Sequence, residues 1–237
     1  MLSLHLSMRL IDSIKIDLPL VNHIKKEFEL KDLTIFIGRT NSGKTKILQE
    51  IHRLLFNAKN SYREGVSGYI EKCKQEGISI NQSCNKILQA VYINSPRNPI
   101  GNIEGFGTKI VRSADSLKLI DSSIEDLGTN KVKFKNGVER PLQEQGSGVH
   151  NQIQILDKLL EQFDVVLIDE PEISQFPYGK IQILKNIIEE LDKKQIILAT
   201  HDPTIINQYL IKKFKDDKHE VVIYSFCNDE FKKIDFE

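Results

Sequence analysis

The fold class of this chain is decided by the stretch Gly38-Arg39-Thr40-Asn41-Ser42-Gly43-Lys44-Thr45. It fits the spacing G-x-x-x-x-G-K-[ST], in which small residues let successive backbone N–H groups surround an anion. The short apolar run at 33–37 before it predicts a buried strand, and apolar residues at helical spacing from Ile47 to Leu55 predict a helix after it. Because a helix start attracts anions, we expect a phosphate-binding loop rather than a chance match in a turn.

All eight residues of this loop are predicted to contact a nucleotide. Lys44 is placed to reach the β- and γ-phosphates, and the Thr45 hydroxyl is placed to bind Mg²⁺. Lys46, the next residue, is assigned no contact. The expected ligands are therefore ATP and Mg²⁺.

Two further polar sites follow apolar strands. The run Val165–Ile168 ends in Asp169 and Glu170, and a second predicted strand at 195–199 is followed by Thr200 and then His201. Asp169 would hold Mg²⁺, directly or through water, and Glu170 could polarise the attacking water as general base. His201 could approach a γ-phosphate. The alternatives are a solvated acidic strand end and a histidine that is structural or exposed.

The order of predicted elements indicates an α/β fold. Strands that alternate with helices imply a mainly parallel sheet with helices on both faces, and functional loops gather at the carboxyl ends of its strands. We expect one domain over 1–237, with an inserted subdomain at about 58–140. The Asn136-Gly137 pair predicts a hairpin and hence an antiparallel portion. A helix is expected to begin near Ile205, and a small last strand is expected at 231–236.

Composition limits the partners less than the motifs do. The chain has 33 Lys plus Arg and 33 Asp plus Glu, a balance that neither supports nor excludes binding to nucleic acid. Three cysteines without a C-x-x-C pair argue against a disulfide framework and favour a cytoplasmic setting. No apolar run approaches the roughly 18 residues that span a membrane, and we expect no signal peptide. A membrane process would therefore need another subunit.

A fourth segment completes a recognisable order of motifs. Gln145-Gly146-Ser147-Gly148 precedes the acidic pair, with Ser147 lying 22 residues (169 − 147) before Asp169 at a predicted helix start. With the phosphate loop and Ala199-Thr200-His201-Asp202, this order resembles an ABC-type P-loop ATPase. The transporter signature L-S-G-G-Q is absent. The sequences Q-G-S-G-V and D-E-P-E look more like the RecF/SMC-like and OLD-nuclease ATPases, an AAA-type branch.

The chain also departs from that branch. Its members typically continue P-E-x-x-L-H-P, whereas Gln175 and Phe176 stand here in place of Leu-His. No Toprim nuclease domain is expected after His201, and the segment 58–140 has no sustained heptads for a coiled coil. The glutamine loop of the class is not evident, and Asn94 is a weak substitute.

The resemblance implies an Mg²⁺-dependent ATPase in which two copies pair head to tail. Ser147 and Gly148 of one chain would cap the γ-phosphate bound at Lys44 of the other, with Glu170 and His201 as further catalytic residues. For Ser147 alone, the alternative is a helix N-cap.

Three functions follow from these residues. The first is an ATP-driven dimerisation switch in nucleic-acid maintenance, repair or defence, with nucleic acid or a nuclease as a partner. The alternative is the ATPase subunit of a membrane transporter, against which the missing L-S-G-G-Q weighs. The third is a nucleotide-binding regulator without catalysis, which an intact Lys44, Asp169, Glu170 and His201 disfavour.

Overall fold

The computed structural model describes residues 9–18, 24–60, 65–75, 78–94, 124–127, 131–141, 144–175, 177–206, 219–227 and 230–234. The chain forms two compact units. The first comprises Met1–Tyr92, Phe163–Asp169 and Leu191–Glu237, and the second comprises Ile93–Gln162 and Glu170–Glu190.

The described elements alternate between strands and helices along much of the chain. The strands are β1 (Ile11–Leu18), β2 (Ile24–Glu29), β3 (Leu33–Gly38), β4 (Lys74–Gln75), β5 (Ile78–Gln82), β6 (Ala90–Asn94), β7 (Ile124–Leu127), β8 (Lys131–Phe134), β9 (Glu139–Pro141), β10 (Val165–Asp169), β11 (Gln195–Thr200), β12 (Val221–Cys227) and β13 (Glu230–Ile234). The helices are α1 (Lys44–Asn60), α2 (Gly65–Lys72), α3 (Ser147–Leu160) and α4 (Pro177–Glu189), with a 3-10 turn at Pro203–Ile205.

A six-stranded sheet forms the larger part of the first unit, in the order β13-β12-β3-β11-β10-β6. Strands β10, β11, β3 and β12 run parallel, and β13 is antiparallel to β12 at one edge. All residues of β10 and β11 are buried, as expected for parallel strands covered on both faces. The predicted α/β fold with a mostly parallel sheet is confirmed.

A second sheet of the first unit is antiparallel, with the order β2-β1-β5-β4. In β1, Ile14 and Ile16 are buried and alternate with half-buried or exposed positions. In β5, Ile78 and Ile80 are buried in the same alternation. The sequence did not predict β4 and β5. The inserted subdomain at 58–140 stays a prediction, and its residues up to 92 lie in the first unit.

One buried glutamine connects parts of the first unit that lie far apart in sequence. Gln195, at the start of β11, is fully buried. Its Oε1 accepts hydrogen bonds from the backbone N–H of Leu10 (3.3 Å) and Ile11 (2.8 Å). Its Nε2 donates to the carbonyl oxygens of Ile11 (2.9 Å) and Lys31 (3.0 Å). This side chain therefore attaches the antiparallel sheet to the parallel one.

The second unit combines a three-stranded antiparallel sheet, β7-β8-β9, with helices α3 and α4. The hairpin predicted at Asn136-Gly137 is confirmed, since β8 pairs antiparallel with β9 and Gly137 has a φ of +82°. Its small core comprises Ile124, Val132, Ile153 and Leu156.

Two elements that the sequence predicts after residue 204 differ from the structure or lie partly outside the described residues. Ile205 ends the turn Pro203–Ile205 instead of beginning a helix, and the rest of the predicted helix lies outside the described residues. The last strand is Glu230–Ile234, slightly earlier than the predicted 231–236. No helix in the described ranges has the length and apolar character to cross a membrane.

Candidate nucleotide-binding site

The predicted phosphate loop lies between β3 and α1, as the sequence indicated. Lys44 is the first residue of α1 and is only 4% exposed. Its Nζ donates to the carbonyl oxygens of Gly38 (2.8 Å) and Arg39 (2.8 Å) and to the Ser42 hydroxyl (3.1 Å). The ammonium therefore lies against the polar backbone of its own loop. A cation in this position can attract a phosphate to the loop.

The loop backbone needs glycine or a residue that tolerates the left-handed region. Asn41 has a φ of +65° and Gly43 a φ of +92°. Such residues shape a concave nest of successive backbone N–H groups, a common anion site. Gly38 has a different requirement, because a Cβ there would lie 2.4 Å from the carbonyl oxygen of Phe226 in β12. The two glycines of the motif are thus required for different reasons, Gly43 for its backbone conformation and Gly38 for close packing.

Asp169 ends β10 at the same sheet edge as the phosphate loop. In register it pairs with Ala199 of β11, which pairs in turn with Phe36 of β3. Its side chain is buried, at 2% exposure, and its Oδ2 accepts a hydrogen bond from the Tyr92 hydroxyl at 2.9 Å. The three predicted motif strands are therefore adjacent, and their carboxyl ends bring the loop, Asp169 and the residues after β11 to one edge.

His201 directly follows β11 at this edge and is exposed. The backbone beyond it is held by local hydrogen bonds. The Thr200 hydroxyl accepts from the N–H of Asp202 (3.0 Å), and Asp202 Oδ1 accepts from the N–H (2.9 Å) and hydroxyl (2.7 Å) of Thr204. The turn fixes where the chain leaves the strand, so the position of His201 is defined by its neighbours.

Glu170 occupies a turn with a strained backbone. Its φ is +49°, a left-handed value that costs a non-glycine residue roughly 1–2 kcal/mol. The turn continues through hydrogen bonds from Ile173 N–H to the Glu170 carbonyl (3.1 Å) and from Gln175 N–H to the Glu172 carbonyl (3.0 Å). Strain of this kind concentrates at functional sites. The carboxylate predicted as general base is therefore held by an unusual backbone.

Ser147 and Gly148 form the first turn of α3 in the second unit. The N-cap is Gly146, with φ −61° and ψ 151°, so Ser147 is already helical. The alternative that Ser147 is merely an N-cap is therefore wrong. A glycine N-cap has no side chain to bind the first backbone N–H groups, which a Ser or Asp would otherwise do.

Three side-chain amides, which we call the amide clamp (Asn151, Gln152 and Gln175), join α3 to the turn after Glu170. Asn151 Nδ2 donates to the carbonyl oxygens of Pro171 (3.0 Å) and Ile173 (3.1 Å). Gln152 Nε2 donates to Gln175 Oε1 at 2.8 Å, and Gln175 Nε2 donates to the Gly148 carbonyl at 2.7 Å. These contacts were not predicted from the sequence, although amide residues beside an apolar helical face were a possible signal.

The end of β6 carries one residue with a predicted role and one contact that was not predicted. Asn94, the substitute for a glutamine loop, is exposed there, and its role stays a prediction. Tyr92, two residues earlier and without any predicted role, is the β6 residue that contacts Asp169. The donor chemistry at this edge suits Mg²⁺, because the Asp169 carboxylate and the Thr45 hydroxyl are hard oxygen ligands.

Comparison with known families gives the class of the chain. The model of a family described as an AAA ATPase domain matches residues 66–206, more than half of the sequence. The chain belongs to the AAA ATPase domain family. The matched segment contains Ser147, Asp169, Glu170 and His201, and it begins after the phosphate loop.

Relatives with known names are ATP-binding proteins. The chain is 22% identical over 218 residues to the energy-coupling factor transporter ATP-binding protein EcfA2 of Lactococcus lactis, covering 90% of this chain and 74% of that protein. It is 25% identical over 186 residues to the phosphate import ATP-binding protein PstB 2 of Lactobacillus johnsonii, covering 76% and 73% respectively.

Solved structures agree on the fold. The SMC head domain from Thermotoga maritima matches with a TM-score of 0.56 and 12% identity, covering 96% of this chain and 99% of that one. A metal-chelate type ABC transporter in an inward-facing conformation matches with a TM-score of 0.52 and 10% identity, covering 94% and 82%. The predicted resemblance to an ABC/SMC-like P-loop ATPase is confirmed.

Proposed function

We propose that this AAA ATPase binds and hydrolyses ATP with Mg²⁺ and works as an ATP-driven dimerisation switch. The observation that carries the proposal is the shared edge of three adjacent parallel strands, where the Lys44 loop, buried Asp169 and His201 follow β3, β10 and β11. Relatives named as ATP-binding proteins support the choice of nucleotide.

Each residue at this edge has a chemical role in the proposal. Lys44 exchanges its contacts with loop carbonyls for the β- and γ-phosphate oxygens, where its charge offsets theirs. Thr45 and Asp169 hold Mg²⁺, which would neutralise charge on the phosphates when bound. Glu170 accepts a proton from the attacking water, and His201 donates a hydrogen bond to the γ-phosphate.

The site is completed by a second copy of the chain. Ser147 and Gly148 of the partner cap the γ-phosphate, because the first turn of a helix presents backbone N–H groups and a positive dipole end. The glycine N-cap supports this role, since no side chain of that residue competes for these groups. ATP then closes the dimer and hydrolysis opens it.

We infer that the switch serves nucleic-acid maintenance, repair or defence. The Q-G-S-G-V and D-E-P-E motifs support this inference, as does the likeness to an SMC head along nearly all of both chains. The alternative is the ATPase subunit of a membrane transporter, which the names of the relatives EcfA2 and PstB 2 favour.

Four forms of the protein test the ATPase proposal. Wild type should release phosphate from ATP with Mg²⁺, and Glu170→Gln should bind ATP, form dimers in light scattering and release almost none. Lys44→Ala should lose nucleotide binding. Lys46→Ala is the matched control, since Lys46 is exposed and pairs only one turn away with Glu50 at 2.8 Å. A Glu170→Gln protein that stays monomeric with ATP would exclude the switch.

Different assays distinguish a role on nucleic acid from a role in a membrane transporter. If the dimer acts on nucleic acid, the ATP-bound Glu170→Gln protein should retain DNA or RNA at low salt and release it steeply as salt rises. A lack of retention at low salt argues against this role. A stable complex with a membrane protein encoded by a neighbouring gene would favour the transporter alternative.

A further inference from the structure

A tyrosine of β6 contacts the carboxylate predicted to hold Mg²⁺. The hydroxyl of Tyr92 donates to Oδ2 of Asp169 at 2.9 Å, within the ordinary range of an O–H···O hydrogen bond. Asp169 is 2% exposed, so its carboxylate is largely removed from bulk water. A buried carboxylate needs hydrogen-bond donors to offset its loss of water. A donor held in a fixed position also fixes the direction of the carboxylate oxygens.

The ring of Tyr92 is itself held in place. It packs against the hydrophobic core of the first unit, and its centroid lies 6.1 Å from that of His52 in α1. His52 lies 5.9 Å from Phe56, so the three rings form a continuous row. Helix α1 is the helix that begins at Lys44 and Thr45. Tyr92 therefore touches both the strand that carries Asp169 and the helix that follows the phosphate loop.

The state of His52 is consistent with packing rather than charge. Burial lowers the pKa of its imidazole, which favours the neutral form beside the aromatic rings. His52 therefore contributes to this row of rings by packing.

We propose that Tyr92 is a positioning residue for Mg²⁺: its hydroxyl fixes the Asp169 carboxylate in the orientation that receives the ion. This inference rests on the proposed ATPase function and adds to it a residue outside the predicted motifs. Hydrogen bonds to a ligating carboxylate hold its geometry, and their loss typically costs 10–100-fold in metal affinity. In this proposal Tyr92 acts on the ion through Asp169.

The test compares nucleotide affinity with and without metal. Fluorescence titration with labelled ADP gives one Kd in excess Mg²⁺ and one in chelator, and their ratio is the contribution of the ion. In Tyr92→Phe we expect that ratio to fall about 10-fold or more, with the Kd in chelator unchanged. Mn²⁺ binding followed by electron paramagnetic resonance should weaken in parallel, which gives a second readout independent of turnover.

Tyr224→Phe is the matched control. The Tyr224 hydroxyl also donates one hydrogen bond of 2.9 Å within the first unit, but to the backbone carbonyl of Glu29. Tyr224→Phe should leave the ratio of the two Kd values as in wild type. An equal fall in both variants would mean a general loosening and would overturn the proposal, as would an unchanged or increased ratio in Tyr92→Phe.

A double variant shows whether the effect passes through Asp169. Tyr92→Phe added to Asp169→Asn should lower the ratio no further, whereas additive losses would overturn the inference. If wild type itself shows no Mg²⁺-dependent nucleotide binding, the proposed function fails. If wild type shows it and Tyr92→Phe matches wild type, only the role of Tyr92 fails.

Discussion

The side-chain amide of Gln175 donates a hydrogen bond to the carbonyl oxygen of Gly148 at 2.7 Å, which joins the turn after the acidic pair to the first turn of α3. Gln175 stands where the RecF/SMC/OLD-like ATPases typically have leucine. A leucine could pack in this place but could not bind the carbonyl. The amide clamp thus gives this chain a polar connection between the segment of Glu170 and the proposed phosphate-capping turn.

Replacement of Gln175 by leucine tests that connection. The variant removes the bond to Gly148 and the acceptor of Gln152, so we expect a loss of about 1–3 kcal/mol in the free energy of unfolding. Hydrogen exchange in the first turn of α3 should accelerate, and the ATP-dependent dimer of Glu170→Gln should weaken. Gln182→Leu is the control, because Gln182 only bonds Asn186 within α4, at 3.2 Å. Unchanged exchange in the α3 turn would contradict the role of the clamp.

Two glycines at the start of α3 should differ in how much stability they lose on replacement by alanine. A Cβ at Gly148 would lie 2.5 Å from the Ser174 carbonyl oxygen, whereas a Cβ at Gly146 would meet nothing within 4 Å. Gly146 also has a negative φ that alanine adopts readily. We therefore expect Gly148→Ala to cost about 1–3 kcal/mol in urea unfolding and Gly146→Ala to cost less than about 1 kcal/mol. Equal losses would show that the contact with Ser174 relaxes freely.

The fully buried Gln195 should be sensitive to substitution, because its amide makes four hydrogen bonds to backbone groups. Replacement by methionine, which has a similar length, leaves the bonded groups of Leu10, Ile11 and Lys31 without this partner. Each buried backbone group that loses its hydrogen-bond partner costs roughly 1–3 kcal/mol. We therefore expect the free energy of unfolding to fall by more than about 3 kcal/mol. Gln49→Met, at an exposed position of α1, is the control for the change in side chain. Similar unfolding midpoints for the two variants would contradict the structural role of Gln195.

The parallel sheet could be predicted because its strands carry a strong signal. The run Val165–Ile168 is apolar throughout and is followed by polar residues, and β3 and β11 are mostly apolar runs that also end before polar residues. Strand β5 could not be predicted, because Ile78 and Ile80 are only two apolar residues in a polar stretch. Strand β5 forms because its backbone pairs with β1, more than 60 residues earlier in the chain (78 − 16). This long-range pairing leaves no signal in the local sequence.

The candidate site was predictable only where a motif marks it. Lys44, Asp169 and His201 lie at or after strand ends in a known order, so their place at one edge of the sheet could be predicted from the sequence. Tyr92 was missed because its contact with Asp169 depends on two strands meeting across 77 positions of sequence. Gln175 was noticed only as a departure from a pattern, since its partner Gly148 is known from the fold alone.

A last prediction concerns a buried carboxyl of α3. Asp157 is 5% exposed, and burial raises its pKa above the ordinary value of 3.8, an effect that the nearby Lys158 ammonium partly offsets. The folded chain therefore binds this proton more tightly than the unfolded chain. Below the pKa of the unfolded state, the buried carboxyl is protonated and does not lower the free energy of unfolding. As the pH rises from there to the raised pKa of the folded state, stability is lost.

Asp157→Asn removes this charge with little change in shape, so the variant should be more stable than wild type at neutral pH. Its advantage should shrink as the pH falls and vanish well below the ordinary pKa of 3.8, at about pH 3 or lower, where Asp157 is protonated in both states. Urea midpoints of both proteins from about pH 3 to about pH 7.5 measure this difference. Asp126→Asn, at an exposed position of β7, is the control for the change of side chain. An advantage that stays constant with pH would mean that packing, and not the charge of Asp157, limits the stability of α3.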